Sequence, residues 1–263
     1  MTSFPEVGAA RDAYILDQIR QGQFDVEYAT IVSDYNGHHA EFSVFADALK
    51  VDGVRINVSA ELQQQIADMT GCSLLTPKLA DLMWVQRQVT LPPLPRAITS
   101  STAAMIDQSA KIDAHLTALG NPPGLVVSVG KIWGLDNDTE GKIKQGFALA
   151  MNYGWNFEGA SYQGITGEEI ATHLKDPSGR VYRLIQGRGF AHNLKEVDYS
   201  QLCIMVARAC KMDGADMDIH DLFQNPDLAP LASHQGVLRV LRQPGVPLPT
   251  DTTIYMPRIL VTA

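Results

Sequence analysis

Residues 26–44 read Val26-Glu27-Tyr28-Ala29-Thr30-Ile31-Val32-Ser33-Asp34-Tyr35-Asn36-Gly37-His38-His39-Ala40-Glu41-Phe42-Ser43-Val44. Val26, Tyr28, Thr30 and Val32 alternate with their neighbours, Asn36-Gly37 supplies a turn, and Ala40, Phe42 and Val44 resume the period of two. Alternation places every second side chain on one face of a strand, and Asn-Gly tolerates the positive backbone angles of a tight hairpin. Asp52-Gly53 repeats the turn chemistry ahead of Val54, Ile56 and Val58. The stretch predicts a small antiparallel β-meander over 26–58. Before it, Val7, Ala10, Tyr14, Ile15 and Ile19 have helical spacing, which Gly22 ends.

The period then changes. Ser59 is placed to cap a helix over 60–69 that buries Leu62, Ile66 and Met69 and stops at Gly71. Thr76-Pro77 is a cap followed by proline at the first helical position, leading into Leu79, Leu82, Met83 and Gln86. Pro92, Pro93 and Pro95 keep 89–96 extended, and 101–119 is the longest helical pattern, ended by Gly120-Asn121-Pro122-Pro123-Gly124. Beyond residue 120 the pattern is β-rich. Strands are expected at 125–135 and 143–157 around a hairpin turn at 136–141, and again at 180–186 and 197–206. Between them lie a glycine-spaced loop (Gly154, Gly159, Gly164, Gly167) and a short helix near 168–174. The tail from Asp221 mixes a short helix, an apolar segment at 236–241 and a proline-rich run. These segments predict an α+β fold, with helices packed on an antiparallel β-sheet and an N-terminal helix and small β-meander. We read 1–263 as a single composite domain of three parts, 1–59, 60–120 and 121–263.

Composition narrows the function classes. The chain has 263 residues, 29 acidic against 21 basic, for a net charge of −8; 45% are hydrophobic and 19% charged. That apolar content supports a core and excludes intrinsic disorder. No apolar run approaches the ~18 residues of a membrane span, so no membrane partner is expected. The acidic balance argues against nucleic acid as a partner. Three cysteines do not make a disulfide framework. Phosphate-loop, dinucleotide and zinc signatures are missing, so no cofactor is expected. No export signal opens the chain, which reads as cytoplasmic, or as delivered without a signal by a virion or secretion machine. Oligomeric state is left open.

Three groups of residues could carry chemistry. Cys72, between Gly71 and Ser73 and upstream of a helix, is either a nucleophilic thiolate or a packed core thiol. His192 and Asp198 lie six apart, an even spacing that suits a general base with an orienting carboxylate, or else a solvated turn. Trp155, Tyr199 and the glycine loop could wall a substrate pocket, with backbone donors around Cys72-Ser73 holding an oxyanion. Asp213, Asp216, Asp218, His220 and Asp221 could converge on a hard cation or cap a helix.

Cys72-Ser73-Leu74 resembles the Asp-Cys-Ser-Gly-Leu run of the NlpC/P60 (papain-like) cysteine hydrolases, with Gly71 in place of the acidic residue. That resemblance implies a peptide or peptidoglycan-like substrate. In order along 45–245, Gly71-Cys72, Leu75-Thr76, Asp81-Leu82-Met83-Trp84, Tyr153-Gly154-Trp155 and His192 before Asp198-Tyr199-Ser200 resemble an uncharacterised bacterial protein family, which implies one constellation and no particular substrate. The expectation is a cysteine-dependent amide or peptide hydrolase. Cys72 would attack, His192 would act as base and Asp198 would orient it, while Trp155, Tyr199 and Ser73 would contact substrate. The alternatives are a non-catalytic binding or virion-type structural protein and, third, a metal-dependent hydrolase using the acidic turn.

Overall fold

The computed structural model describes residues 4–97, 99–145, 149–169 and 182–258. Its helices start and stop where local chemistry demands. Ser59 Oγ accepts from the Leu62 N–H at 3.1 Å at the start of Ala60–Thr70, and Gly71 ends that helix with φ +65°. Thr76 Oγ1 accepts from the Leu79 N–H at 3.1 Å, opening Pro77–Val85. Ser101 caps Thr102–Ala118 in the same way, and Ala9–Arg20 buries Ile15 and Ile19. Each cap satisfies a backbone donor that the first helical turn leaves unpaired.

The fold is mixed α+β with two main antiparallel sheets. In the first, Tyr28–Tyr35 pairs with His38–Phe45 around Asn36-Gly37, as the alternation predicts. The meander stops there. Around Asp52-Gly53 only Lys50–Val51 and Val54–Arg55 pair, because the segment gives its backbone bonds to remote chain. Ile56 O accepts from Cys203 N, and Val58 N donates to Gln201 O. The next neighbour of His38–Phe45 is instead Met205–Met212, which also carries Ala215–Asp218 and Cys72–Leu74.

The second sheet runs Glu168–Glu169, Tyr182–Asn193, Leu149–Glu158, Lys131–Gly134. Residues 136–141 do not form the expected hairpin turn. Asp136 Oδ1 accepts from the Asp138 N–H at 2.8 Å and starts a short helix, Asp138–Lys144, whose first turn carries Asp138 and Glu140. The expected strand at 197–206 begins only at Met205; upstream, Ser200 O accepts from Lys131 N at 2.6 Å and Leu202 N donates to Lys131 O at 3.1 Å, which ties this segment to the second sheet. Where a short helix was expected near 168–174, Glu168–Glu169 is a strand paired with Leu184 and Arg183, and residues 170–174 lie outside the described residues. Residues 180 and 181 of the expected 180–186 strand do so too.

The Pro77–Val85 helix touches both sheets, through the Tyr28–Tyr35 and Leu149–Glu158 strands. One apolar cluster runs from Ile15 through Phe42, Trp84, Trp133 and Met205 to Leu238, so both sheets share a core. Among the described residues no helix is long and apolar enough to cross a membrane.

Candidate active site

The residues expected to form a thiol relay take separate partners. Cys72 sits on the first sheet, paired with Ala207, and is 3% exposed. Its Sγ donates to Thr70 O at 3.6 Å and lies 3.7 Å from Tyr28 Oη. Burial pushes this thiol above its ordinary pKa, and the bonds to Thr70 and Tyr28 offset that only in part. His192 is on the second sheet, where Nδ1 is 2.6 Å from Glu196 Oε1 and the ring meets the Trp133 ring edge-on. Asp198 is buried and accepts from Ser200 N at 2.7 Å and Ser200 Oγ at 2.5 Å. The structure does not join Cys72, His192 and Asp198 in one hydrogen-bonded relay.

The expected substrate contacts are also interior. Trp155 and Tyr199 do meet, but as a small buried cluster with Met105. Their polar atoms are used internally: Trp155 Nε1 donates to Ser128 O and Tyr199 Oη to Arg96 O. Ser73 is buried with its Oγ 2.9 Å from His220 Nε2.

The acidic turn is spent on pairing and capping. Asp213 bonds His38 Nδ1 and the His39 N–H, both at 2.8 Å, and Asp216 pairs with Lys211 at 2.6 Å. Asp218 pairs with Arg208 and caps Ile219–Gln224 by accepting from His220 N. Among the described residues no group of three or more His, Cys, Asp or Glu is arranged to hold a metal ion. In this arrangement the turn is a hairpin of Met205–Met212 with Ala215–Asp218 that caps Ile219–Gln224.

A different group converges on a cleft of about 380 Å³ beside the second sheet. Asp81 lies one turn into the Pro77–Val85 helix, Tyr153 is on Leu149–Glu158, and His234 follows the short 3-10 helix Ala229–Leu231. Tyr153 Oη donates to Asp81 Oδ1 at 2.6 Å, and His234 Nε2 donates to Asp81 Oδ2 at 2.8 Å. The Asp81 side chain is 0% exposed, while that of His234 is 18% exposed, so the carboxylate is sealed and the imidazole reaches the cleft. Burial, then the charges of Asp81 and Glu168, push the Tyr153 phenol far above its ordinary pKa and hold it protonated as a donor.

The same helix anchors the chain that carries His234. The Thr76 hydroxyl, which caps the helix, donates to Ala232 O at 2.5 Å, and Lys78 Nζ donates to Pro230 O. On the far side, Gln235 Oε1 accepts from Asn137 N at 3.0 Å and Gln235 Nε2 donates to Asp136 Oδ1 at 3.3 Å. Arg188 closes that wall by donating to Asp136 and Asp138. A histidine oriented by a sealed carboxylate in a cleft is an arrangement suited to general acid–base chemistry. The cleft of about 430 Å³ lined by Asp25, Asp47 and Lys50 has no histidine or cysteine in its lining.

Sequence reasoning placed Asp81 and Tyr153 in the constellation of the family resemblance but gave them no role, and it did not single out His234. One signal was available: Asp81 is the lone carboxylate within Leu79–Val85, an otherwise apolar run, and a charge buried there needs partners. No protein-family model matches the chain, and neither a curated protein nor a solved structure was found to match it.

Proposed function

We propose that the protein is a hydrolase of amide or ester bonds that works by general acid–base chemistry in the Asp81–His234 cleft. The observation that carries this reading is the sealed Asp81 carboxylate, which holds the His234 imidazole at the cleft wall. Asp81 fixes the ring's tautomer and orientation, as the carboxylate does in hydrolytic triads. His234 takes a proton from water, and the resulting hydroxide adds to the substrate carbonyl. The C–N or C–O bond then breaks as the same proton passes to the leaving nitrogen or oxygen, consuming one water. In this reading Cys72 has a packing role and no thiol intermediate forms. The amide class expected from the sequence is kept, and the nucleophile changes from thiol to water.

The test is turnover of a panel of amino-acid 4-nitroanilides and 4-nitrophenyl esters. Hydrolysis of at least one, falling about 100-fold or more in His234→Gln, is the expected result. No hydrolysis across the panel would overturn the reading. A non-catalytic interaction role is the second reading, supported by Leu248 and Met256, which stand 73% and 71% exposed on the carboxy-terminal arm.

A further inference from the structure

The Tyr182–Asn193 strand is irregular where it passes the cleft. Its register against Leu149–Glu158 shifts between Gln186 and Gly189, and again between Gly189 and His192, so Gly187 and Arg188 stand in a bulge. Bulges re-aim side chains beside functional sites. Arg188 is turned toward Asp136 and Asp138. At Gly187 the consequence is space. A Cβ there would fall 1.6 Å from a Glu168 carboxylate oxygen and 2.3 Å from its Cδ, so only glycine lets that carboxylate rest on the bulge. Glu168 lines the same cleft as Asp81, Tyr153 and His234, and its charge is felt at Tyr153.

The acidic groups of the cleft differ in how they are used. Asp81 is held by Tyr153 and His234, and Asp136 by Arg188 and Gln235. The Glu168 carboxylate has no hydrogen-bond or ion-pair partner among the described residues. With the Arg188 charge already committed to Asp136 and Asp138, an anionic ligand would meet Glu168 uncompensated and a cationic one would complete it. Building on the acid–base reading of this cleft, we infer that Glu168 determines specificity and that the substrate carries a free ammonium group, as amino-acid amides and peptide amino termini do. Gly187 is the positioning residue that makes room for it.

The test is calorimetric binding of L-alaninamide against N-acetyl-L-alaninamide at low salt and about pH 6.5, below the α-amino pKa of roughly 7.7–8.0. The two probes share the amide and differ in the ammonium. The expected result is at least about tenfold tighter binding of L-alaninamide, with the preference abolished in Glu168→Gln, a change at an exposed position that leaves the core untouched. Gly187→Ala, which displaces the carboxylate, loses the preference as well. Equal affinities, failure of L-alaninamide to bind, or a preference that survives Glu168→Gln would overturn the inference. Binding is read without turnover, so the two readings fail separately: a protein that selects the ammonium probe yet hydrolyses nothing in the panel loses only the acid–base reading.

Discussion

Asp81 Oδ2 lies 2.8 Å from His234 Nε2, although 153 residues of chain separate them. The contact rests on two others from the same helix, Thr76 to Ala232 and Lys78 to Pro230, which bring the carboxy-terminal segment onto the helix start. A helix N-terminus thus positions both the carboxylate and the chain bearing its histidine.

Tyr153→Phe removes the phenol donor to Asp81 and keeps the aromatic ring. A buried carboxylate oxygen left without its phenol partner costs about 1.5–3 kcal/mol, a loss that urea unfolding should register as a lower midpoint with an unchanged slope. A midpoint equal to that of the wild type would show that the bond contributes nothing to stability.

All three cysteines are buried, and burial raises each thiol pKa, that of Cys210 to about 11. Iodoacetamide at about pH 8, near the ordinary thiol value of roughly 8.5, is expected to label none of them quickly in folded protein and all three in urea. Rapid stoichiometric labelling of native Cys72, located by mass spectrometry, would restore the thiolate as a candidate nucleophile.

His220 is held below its ordinary pKa, first by burial and then by the nearby Arg208 charge, and its Nε2 bonds Ser73 Oγ at 2.9 Å. Its folded pKa is lower than its unfolded one, so between the two values the unfolded chain binds a proton that the native protein does not. Its contribution is fully present above the unfolded value of roughly 6.5 and is lost as pH falls toward the folded value. Unfolding free energies measured from about pH 7.5 down to pH 5 should decline, and His220→Gln should flatten part of that decline. An identical slope in the variant would remove His220 from the account.

Arg55 is fully buried, with Nε donating to both Asp47 carboxylate oxygens at 2.9 Å and Nη1 to Asp113 at 2.6 Å. Asp47→Ala strands most of that buried charge and is expected to cost about 3–5 kcal/mol. Asp113→Ala should cost less, because Asp113 is half exposed and Asp47 remains. Denaturant unfolding of the two variants side by side checks the order, and a larger loss in Asp113→Ala would reverse it.

What could be read along the chain was local chemistry. Ser59 with Gly71 and Thr76 with Pro77 each announce a helix end through their own side chain or backbone freedom, and each falls where expected; Ser101, read as the first helical residue, is instead the cap of Thr102–Ala118. Cys72 does lie ahead of the Pro77–Val85 helix, but Cys72–Leu74 is also a strand of three residues, too short for alternation to reveal. The pairing of His38–Phe45 with Met205–Met212 joins distant segments that nothing nearby encodes. Residues 136–141 look like a turn until Asp136 caps a helix there, where Arg188 from a remote strand also binds. His234 lies in chain without helical or strand periodicity, so its position depends on Thr76, Lys78 and Asp81.

The most direct measurement compares His234→Gln with Cys72→Ser on whichever panel substrate the wild type hydrolyses. The account predicts a loss of about 100-fold or more in kcat/KM for His234→Gln and a value within a few-fold of wild type for Cys72→Ser. Full activity in His234→Gln, or its collapse in a folded Cys72→Ser, would contradict it.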